Sequence, residues 1–187
     1  MAEQRRRATY AERRDRRTAV EDPAAVVDAG VRYLETRPRS VAEVRRRLSS
    51  AGYRADLVEG AIARLLDLGI LDDAAFATAW VASRDRAHPR GARALRSELI
   101  QKGLSSETIA TVLEARDALR DQVTVPSGEA GQVSADEEAA RRLVARHASA
   151  LARIEDPRKR RQRVYALLAR HGFDPEISSQ VAGEAAG

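Results

Sequence analysis

Apolar positions along this chain recur at helical spacing, and no stretch of alternating apolar and polar residues competes with them. The run AAVVDAGVRYLET follows Asp22-Pro23, an N-cap with proline at the first helical position. Ser40, with Glu43 three residues on, forms a capping box for a second helix that buries Val41, Val44 and Leu48. Gly52 fits the left-handed C-cap position. A third helix then sets Leu57, Val58, Ala61, Ile62 and Leu65 on one face and stops at Gly69. Arg54 is a poor N-cap for it, so that helix starts a residue later or leans on Asp56.

The same arrangement occurs three times. Pro38-Arg39 lies fourteen residues before Gly52, Pro89-Arg90 fourteen before Gly103, and Pro157-Arg158 fifteen before Gly172. With the glycines aligned, Val44, Leu95 and Val164 coincide, as do Leu48, Leu99 and Leu168, then Tyr53, Leu104 and Phe173, and finally Ala61, Val112 and Val181. Agreement in both spacing and polarity marks an internal repeat. The second unit opens at LDDAAFATAWVASR, where Asp72 can cap and Phe76 and Trp80 lie one turn apart on the buried side. Ser105 and Asp174 cap the last helices of the second and third units. The third has Arg161 where Val41 and Ala92 align.

These signals predict an all-α protein, three tandem three-helix repeats forming an elongated, curved modular body. The predicted divisions are a disordered basic arm over 1–22, repeats at 23–70, 71–118 and 135–187, and a flexible linker over 119–134. The linker accounts for an excess of 18 residues between the second and third glycines and lacks any helical stripe. It would let the third repeat move independently. Ser134 with Glu137 predicts a further capping box beyond it.

Composition agrees with this reading. Aromatic residues make up 4% of the chain, and arginine and alanine dominate. There is no cysteine, which excludes disulfides and thiolate chemistry. No apolar run approaches a membrane span and no signal peptide follows the Arg-rich start, so a cytoplasmic protein without membrane contact is expected.

The net charge is only +5, from 33 basic against 28 acidic residues, yet it is unevenly placed. The windows 37–47, 84–96 and 158–163 hold 15 of the basic side chains and two acids, Glu43 and Asp85. The cations are Arg37, Arg39, Arg45, Arg46 and Arg47, then Arg84, Arg86, Arg90, Arg93 and Arg96, then Arg158, Lys159, Arg160, Arg161 and Arg163. Lys102 closes the middle segment. Each repeat thus carries positive charge at the turn into its second helix and along that helix, where it can meet an extended polyanion or an acidic protein groove. An Arg-rich helix face can equally be a solvated surface.

Catalytic readings find little support. Asp72-Asp73 is better explained by N-capping than as a carboxylate pair, and neither nucleophile nor base accompanies it. No phosphate-loop or dinucleotide fingerprint is present, and His88, His147 and His171 have no metal-ligand spacing. No catalytic residue, cofactor or metal is therefore expected, and the protein is not read as an enzyme. A helix-turn-helix reader is disfavoured because the third helix, ADLVEGAIARLLDLG, is acidic or apolar. Trp80 fits the core better than a base-stacking role.

The runs RPRSVAEVRRRLSSAGY, LDLGILDDAAFATAWVASRDR and HPRGARALRSELIQKGL together resemble the RecX family of bacterial recombination regulators. The Leu-Gly-x-Leu-Asp-Asp junction into the Phe76/Trp80 helix, followed by an Arg-rich turn and a leucine helix ending in Lys102-Gly103, carries most of the resemblance. It spans about residues 23–118 and, more weakly, 135–184. The resemblance implies a monomer that binds the RecA filament on DNA in its helical groove and inhibits ATP hydrolysis, strand exchange and co-protease activity, so modulating DNA repair, recombination and the SOS response. Weak direct binding to single- or double-stranded DNA is a further expectation. The alternative is a nonspecific DNA-binding helical-repeat protein that uses the same cations on phosphates.

Overall fold

The structure, a computed structural model, describes residues 9–121 and 134–186, and among these every regular element is a helix. Helix α1 (Tyr10–Thr18) opens with a capping box between Thr9 and Glu12. It lies where the sequence predicts a disordered arm, and it buries no residue of its own. Polar side chains hold it in place. Tyr10 Oη donates to the carbonyl of Ser50 (3.2 Å), Arg17 to that of Ala51 (3.5 Å) and Thr18 Oγ1 to that of Gly52 (2.9 Å). A helix C-terminus leaves such carbonyls without intrahelical donors, so an arginine- and threonine-bearing helix can dock there without an apolar stripe.

The first repeat comprises α2 (Pro23–Leu34), α3 (Val41–Ala51) and α4 (Ala55–Asp67). Asp22 caps α2 through the Ala24 amide, and Ser40 and Glu43 form the full capping box of α3. Arg54 occupies the N-cap of α4 without bonding it and instead grips Asp56 with two nitrogens (2.7 and 3.2 Å). Val26, Val44, Leu48, Val58, Ala61, Ile62, Leu65 and Leu71 form one core. Each full-sized side chain buried there contributes about 1.5–3 kcal/mol.

The second repeat comprises α5 (Asp73–Ala87), α6 (Ala92–Gln101) and α7 (Ser106–Asp121). Asp72 caps α5 through the amides of Ala74 and Ala75, and Ser105 caps α7 through Thr108. Leu95, Leu99 and Ile109 are wholly excluded from solvent, as the stripe predicts. The third repeat contains α8 (Ala135–Arg146), a single turn α9 (Ala148–Leu151), α10 (Pro157–Arg170) and α11 (Pro175–Glu184). Its core joins Ala139, Ala140, Leu143, Leu151, Val164, Leu167, Leu168, Phe173, Val181 and Ala182. Ser134 caps α8 through the Glu137 amide, while the Glu137 carboxylate pairs with Arg141 (3.8 Å) rather than closing the expected box. The predicted linker begins inside α7 and ends at the α8 N-cap, and its residues 122–133 lie outside the described residues.

By contact, the described residues fall into two compact units. One lies within Met1–Phe76 and takes in Lys102–Leu104; the other comprises Ala77–Gln101 and Ser105–Gly187. Within the second unit the third repeat is bonded to the second. Arg116, with its side chain only 8% exposed, donates to both oxygens of Asp85 (2.9 Å each) and to Asp136 Oδ1 (2.5 Å). Asp136 Oδ2 accepts from the Ala92 amide (2.9 Å), and the Arg146 guanidinium donates to the carbonyls of Arg86 and Ala87.

Backbone also meets backbone in this unit. The Gly91 amide donates to the His171 carbonyl (3.0 Å), and a Cβ on Gly172 would overlap the Ala94 methyl. Gly52, Gly103 and Gly172 have φ of 103°, 85° and 79°, as the C-cap reading requires. At Gly172 two demands therefore coincide, a left-handed backbone and space for a neighbouring helix. Gly103 shows the same pair of demands in the first unit, where its Cβ would overlap that of Ala42.

Gly172→Ala is expected to destabilise the protein by at least about 2 kcal/mol, since left-handed strain and overpacking add. An unchanged denaturation midpoint would refute the packing argument. Arg116→Ala should cost about 3–5 kcal/mol by leaving Asp85 and Asp136 buried without their shared cation. A urea titration showing a loss below about 1 kcal/mol would mean that the network is not the clamp described.

Candidate partner-binding surface

Capping geometry decides which cations remain available. In the first unit, the Ser40 hydroxyl accepts from the Glu43 amide and donates to the Lys102 carbonyl (2.6 Å), and Ser40 is fully buried. Glu43 accepts from the Ser40 amide (3.3 Å), from Lys102 Nζ (3.1 Å) and from Arg37 (3.3 Å). Burial pushes the Glu43 carboxyl upward, but the Lys102, Ser40 and Arg37 donors together outweigh it and hold the group below its ordinary range. Arg37 and Lys102 are thus held at a helix cap.

Other predicted cations are also engaged. Arg39 lies over the Tyr33 ring (4.3 Å) and bonds Thr36, and Arg45 makes a two-point bridge to Glu59 (2.7 and 3.0 Å). That bridge raises the Arg45 pKa and lowers that of Glu59. In the middle window Glu98 gathers charge. It accepts from Arg84 Nε (2.7 Å) and Trp80 Nε1 (2.8 Å), and Arg90 lies 3.7 Å away. Arg84 also covers the Trp80 ring at 4.5 Å, so this half-buried indole is a support for arginine rather than a core residue or an open base platform. Arg93 pairs with Asp174 (3.1 Å), and Arg160 Nε donates to the Ile154 carbonyl (3.1 Å).

Eight of the predicted cations remain exposed with no carboxylate partner among the described residues. These are Arg46 and Arg47 on α3, Arg86 on α5, Arg96 on α6, and Arg158, Lys159, Arg161 and Arg163 on α10. Helix two of every repeat keeps some of them. The structure thus divides the charge windows into a set that builds the fold and a set that faces solvent.

Sequence reasoning missed two groups. Asp73 Oδ1 accepts from the Val41 amide (2.9 Å), so the Asp72-Asp73 pair caps two helices, Asp72 its own and Asp73 α3. Burial raises the Asp73 pKa despite that bond. The other group is Arg17 and Arg32, which line a cleft with Arg47; nothing in the repeat pattern selects them. Among the described residues no cluster of three or more His, Asp or Glu could hold a metal ion, and no helix is long and apolar enough to cross a membrane.

Comparison with known proteins matches all three repeats to family models. Residues 28–65 match the first three-helix domain of RecX, 72–113 the second and 135–181 the third. The regulatory protein RecX of Mycobacterium avium is 32% identical over 152 residues, covering 81% of this chain and 79% of that protein. Its counterpart in Mycobacteroides abscessus is 42% identical over 87 residues, covering 46% of this chain and 43% of that protein. The crystal structure of RecX from Lactobacillus salivarius superposes with a TM-score of 0.71 at 19% identity, covering 88% of this chain and 97% of that one. At that identity it speaks to the fold.

The Glu43 cluster makes a pH dependence. Because the folded pKa is depressed, its stabilisation is present above the unfolded value of about 4.3 and is lost as pH falls through the folded value. Glu43→Gln should therefore cost about 1–2 kcal/mol at neutral pH. Its deficit against the unsubstituted protein should shrink on acidification below about pH 4.3. A deficit that stays constant with pH in parallel melts would show that the carboxylate's charge is irrelevant.

Proposed function

The chain belongs to the RecX family, and from that premise we propose that it regulates RecA by binding the RecA filament on DNA. In this reading the repeats at 23–70, 71–118 and 135–187 lodge in the helical groove and restrain ATP hydrolysis, strand exchange and co-protease activity. The observation that carries the reading is that helix two of each repeat keeps exposed cations with no carboxylate partner among the described residues: Arg46 and Arg47, Arg96, and Arg158, Lys159, Arg161 and Arg163. An unpaired guanidinium on a surface otherwise rich in satisfied ion pairs is available for charge-assisted bonds to a partner. Several weak contacts made together add through effective concentration.

The test is RecA ATPase on single-stranded DNA titrated with this protein and with an Arg96→Glu, Arg161→Glu, Arg163→Glu variant. Arg90 and Arg93 are unsuitable for such a reversal because Glu98 and Asp174 hold them. Exposed substitutions cost within about 0.5 kcal/mol each, so the variant should fold normally. A loss of about 1.4 kcal/mol in contact energy would shift the inhibitory concentration tenfold. Inhibition at unchanged concentration by a variant that melts normally would make these cations a solvated surface. Inhibition that appears only when the protein coats naked DNA, and that falls steeply with salt, would favour nonspecific DNA binding.

A further inference from the structure

Within the first unit a cleft of about 340 Å³ opens between α1, α2 and α3, and three arginines line it: Arg17, Arg32 and Arg47. Each comes from a different helix, and no carboxylate contributes to the lining. None of the three takes part in an ion pair among the described residues, although the same unit pairs Arg37, Arg45 and Arg54 with acids. Guanidinium groups stay charged at any physiological pH, so three facing one cleft repel each other unless an anion joins them.

The surroundings hold these groups in place. Tyr53 lies beneath Arg17 (6.0 Å) and Tyr33 beneath Arg47 (5.6 Å), and both rings line the cleft. Aromatic faces support arginine while leaving its N–H edges free for an oxyanion, whose geometry the planar fork matches. The bond from Arg17 to the Ala51 carbonyl fixes α1 against the cleft, and a Cβ on Gly52 would collide with Arg14, so α1 sits close to this turn. Thr36 adds a hydroxyl to the lining, and Ala29, Leu48 and Ala51 provide an apolar floor.

We propose that this cleft is a phosphate-binding site, in which Arg17, Arg32 and Arg47 hold the phosphate of one nucleotide unit and the apolar floor receives its sugar or base. Arginine is suited to phosphate because its parallel N–H groups bind two oxygens at once. The volume is at the scale of small-ligand sites, which span roughly 300–1,000 Å³, and too small for a folded partner. The phosphate can come from a nucleic-acid strand or from a free nucleotide, and the chemistry that recognises it is the same. The site shares Arg47 with the cations assigned to RecA, but Arg17 and Arg32 belong to it alone, and it is measured without RecA.

The experiment compares binding of a fluorescent oligothymidine and of ATP to the full chain, to an Arg32→Ala, Arg47→Ala variant, and to a control of equal charge loss, Arg64→Ala, Arg153→Ala. All four positions are exposed, and thermal melts confirm that the variants fold. The proposal expects the cleft variant to lose about tenfold or more in affinity, with the control nearly unchanged. For the oligonucleotide the log–log salt slope should also fall by about 0.7 per lost contact. Oligothymidine binding that ATP does not displace assigns the site to a strand, whereas ATP binding with the same loss in the cleft variant assigns it to free nucleotide. Arg32→Lys with Arg47→Lys should recover part of the affinity. Equal weakening by the control would reduce the effect to bulk charge and overturn the proposal, as would failure of the full chain to bind either probe at physiological salt.

Discussion

The structure depends on how the first amides of α3 and α6 are satisfied. Helix N-termini leave four N–H groups without intrahelical acceptors, and in α3 and α6 the first of them is taken by an aspartate from the start of a later helix. Val41 donates to Asp73 in the first unit and Ala92 donates to Asp136 in the second. The bond links a local requirement, capping, to a tertiary one, the placement of the helix that supplies the carboxylate. Close glycine contacts accompany it in both units, Gly103 against Ala42 and Gly172 against Ala94. Any side chain at those glycines would push the helices apart and lengthen the cap.

The same constraint sorts the charge. Carboxylates near helix ends draw cations toward them: Arg37 and Lys102 gather at Glu43 in the first turn of α3, and Arg116 bridges Asp85 in the last turn of α5 to Asp136 at the start of α8. Of these, Arg116, with its side chain 8% exposed, makes its bonds where solvent competes little, whereas Arg37 does so at the surface. Among the described residues, Arg46, Arg96 and the outer cations of α10 have no such acid within reach and stay exposed to solvent. A surface built this way presents cations against a frame whose own ion pairs are already complete.

Much of this was legible in the chain before folding. Helix caps at Ser40, Asp72, Ser105 and Asp174 and the left-handed glycines depend on neighbours within a few residues, and their signals survive in sequence because the interactions are local. The buried stripe of Leu95 and Leu99 follows from helical period alone. Local signals fail where the stabilising partner is distant. Helix α1 has no apolar face and reads as an unstructured arm, yet Ser50, Ala51 and Gly52 give its side chains carbonyls to bond. Trp80 reads as core because it lies one turn from Phe76, yet Glu98 and Arg84 turn it into a polar support.

The helical class, the threefold repeat, the caps and the concentration of arginine on helix two can be read from the chain, because periodicity and capping act over a few residues. Which arginines keep a carboxylate partner among the described residues depends instead on the fold. An arginine is neutralised or left open according to whether a carboxylate from another helix comes within about 4 Å. Arg93 meets Asp174 from 81 positions away, and Arg116 meets Asp85 and Asp136 from opposite directions along the chain. No spacing rule encodes those encounters. The cleft of Arg17, Arg32 and Arg47 arises in the same way, from three helices whose arginines become neighbours only when the fold closes.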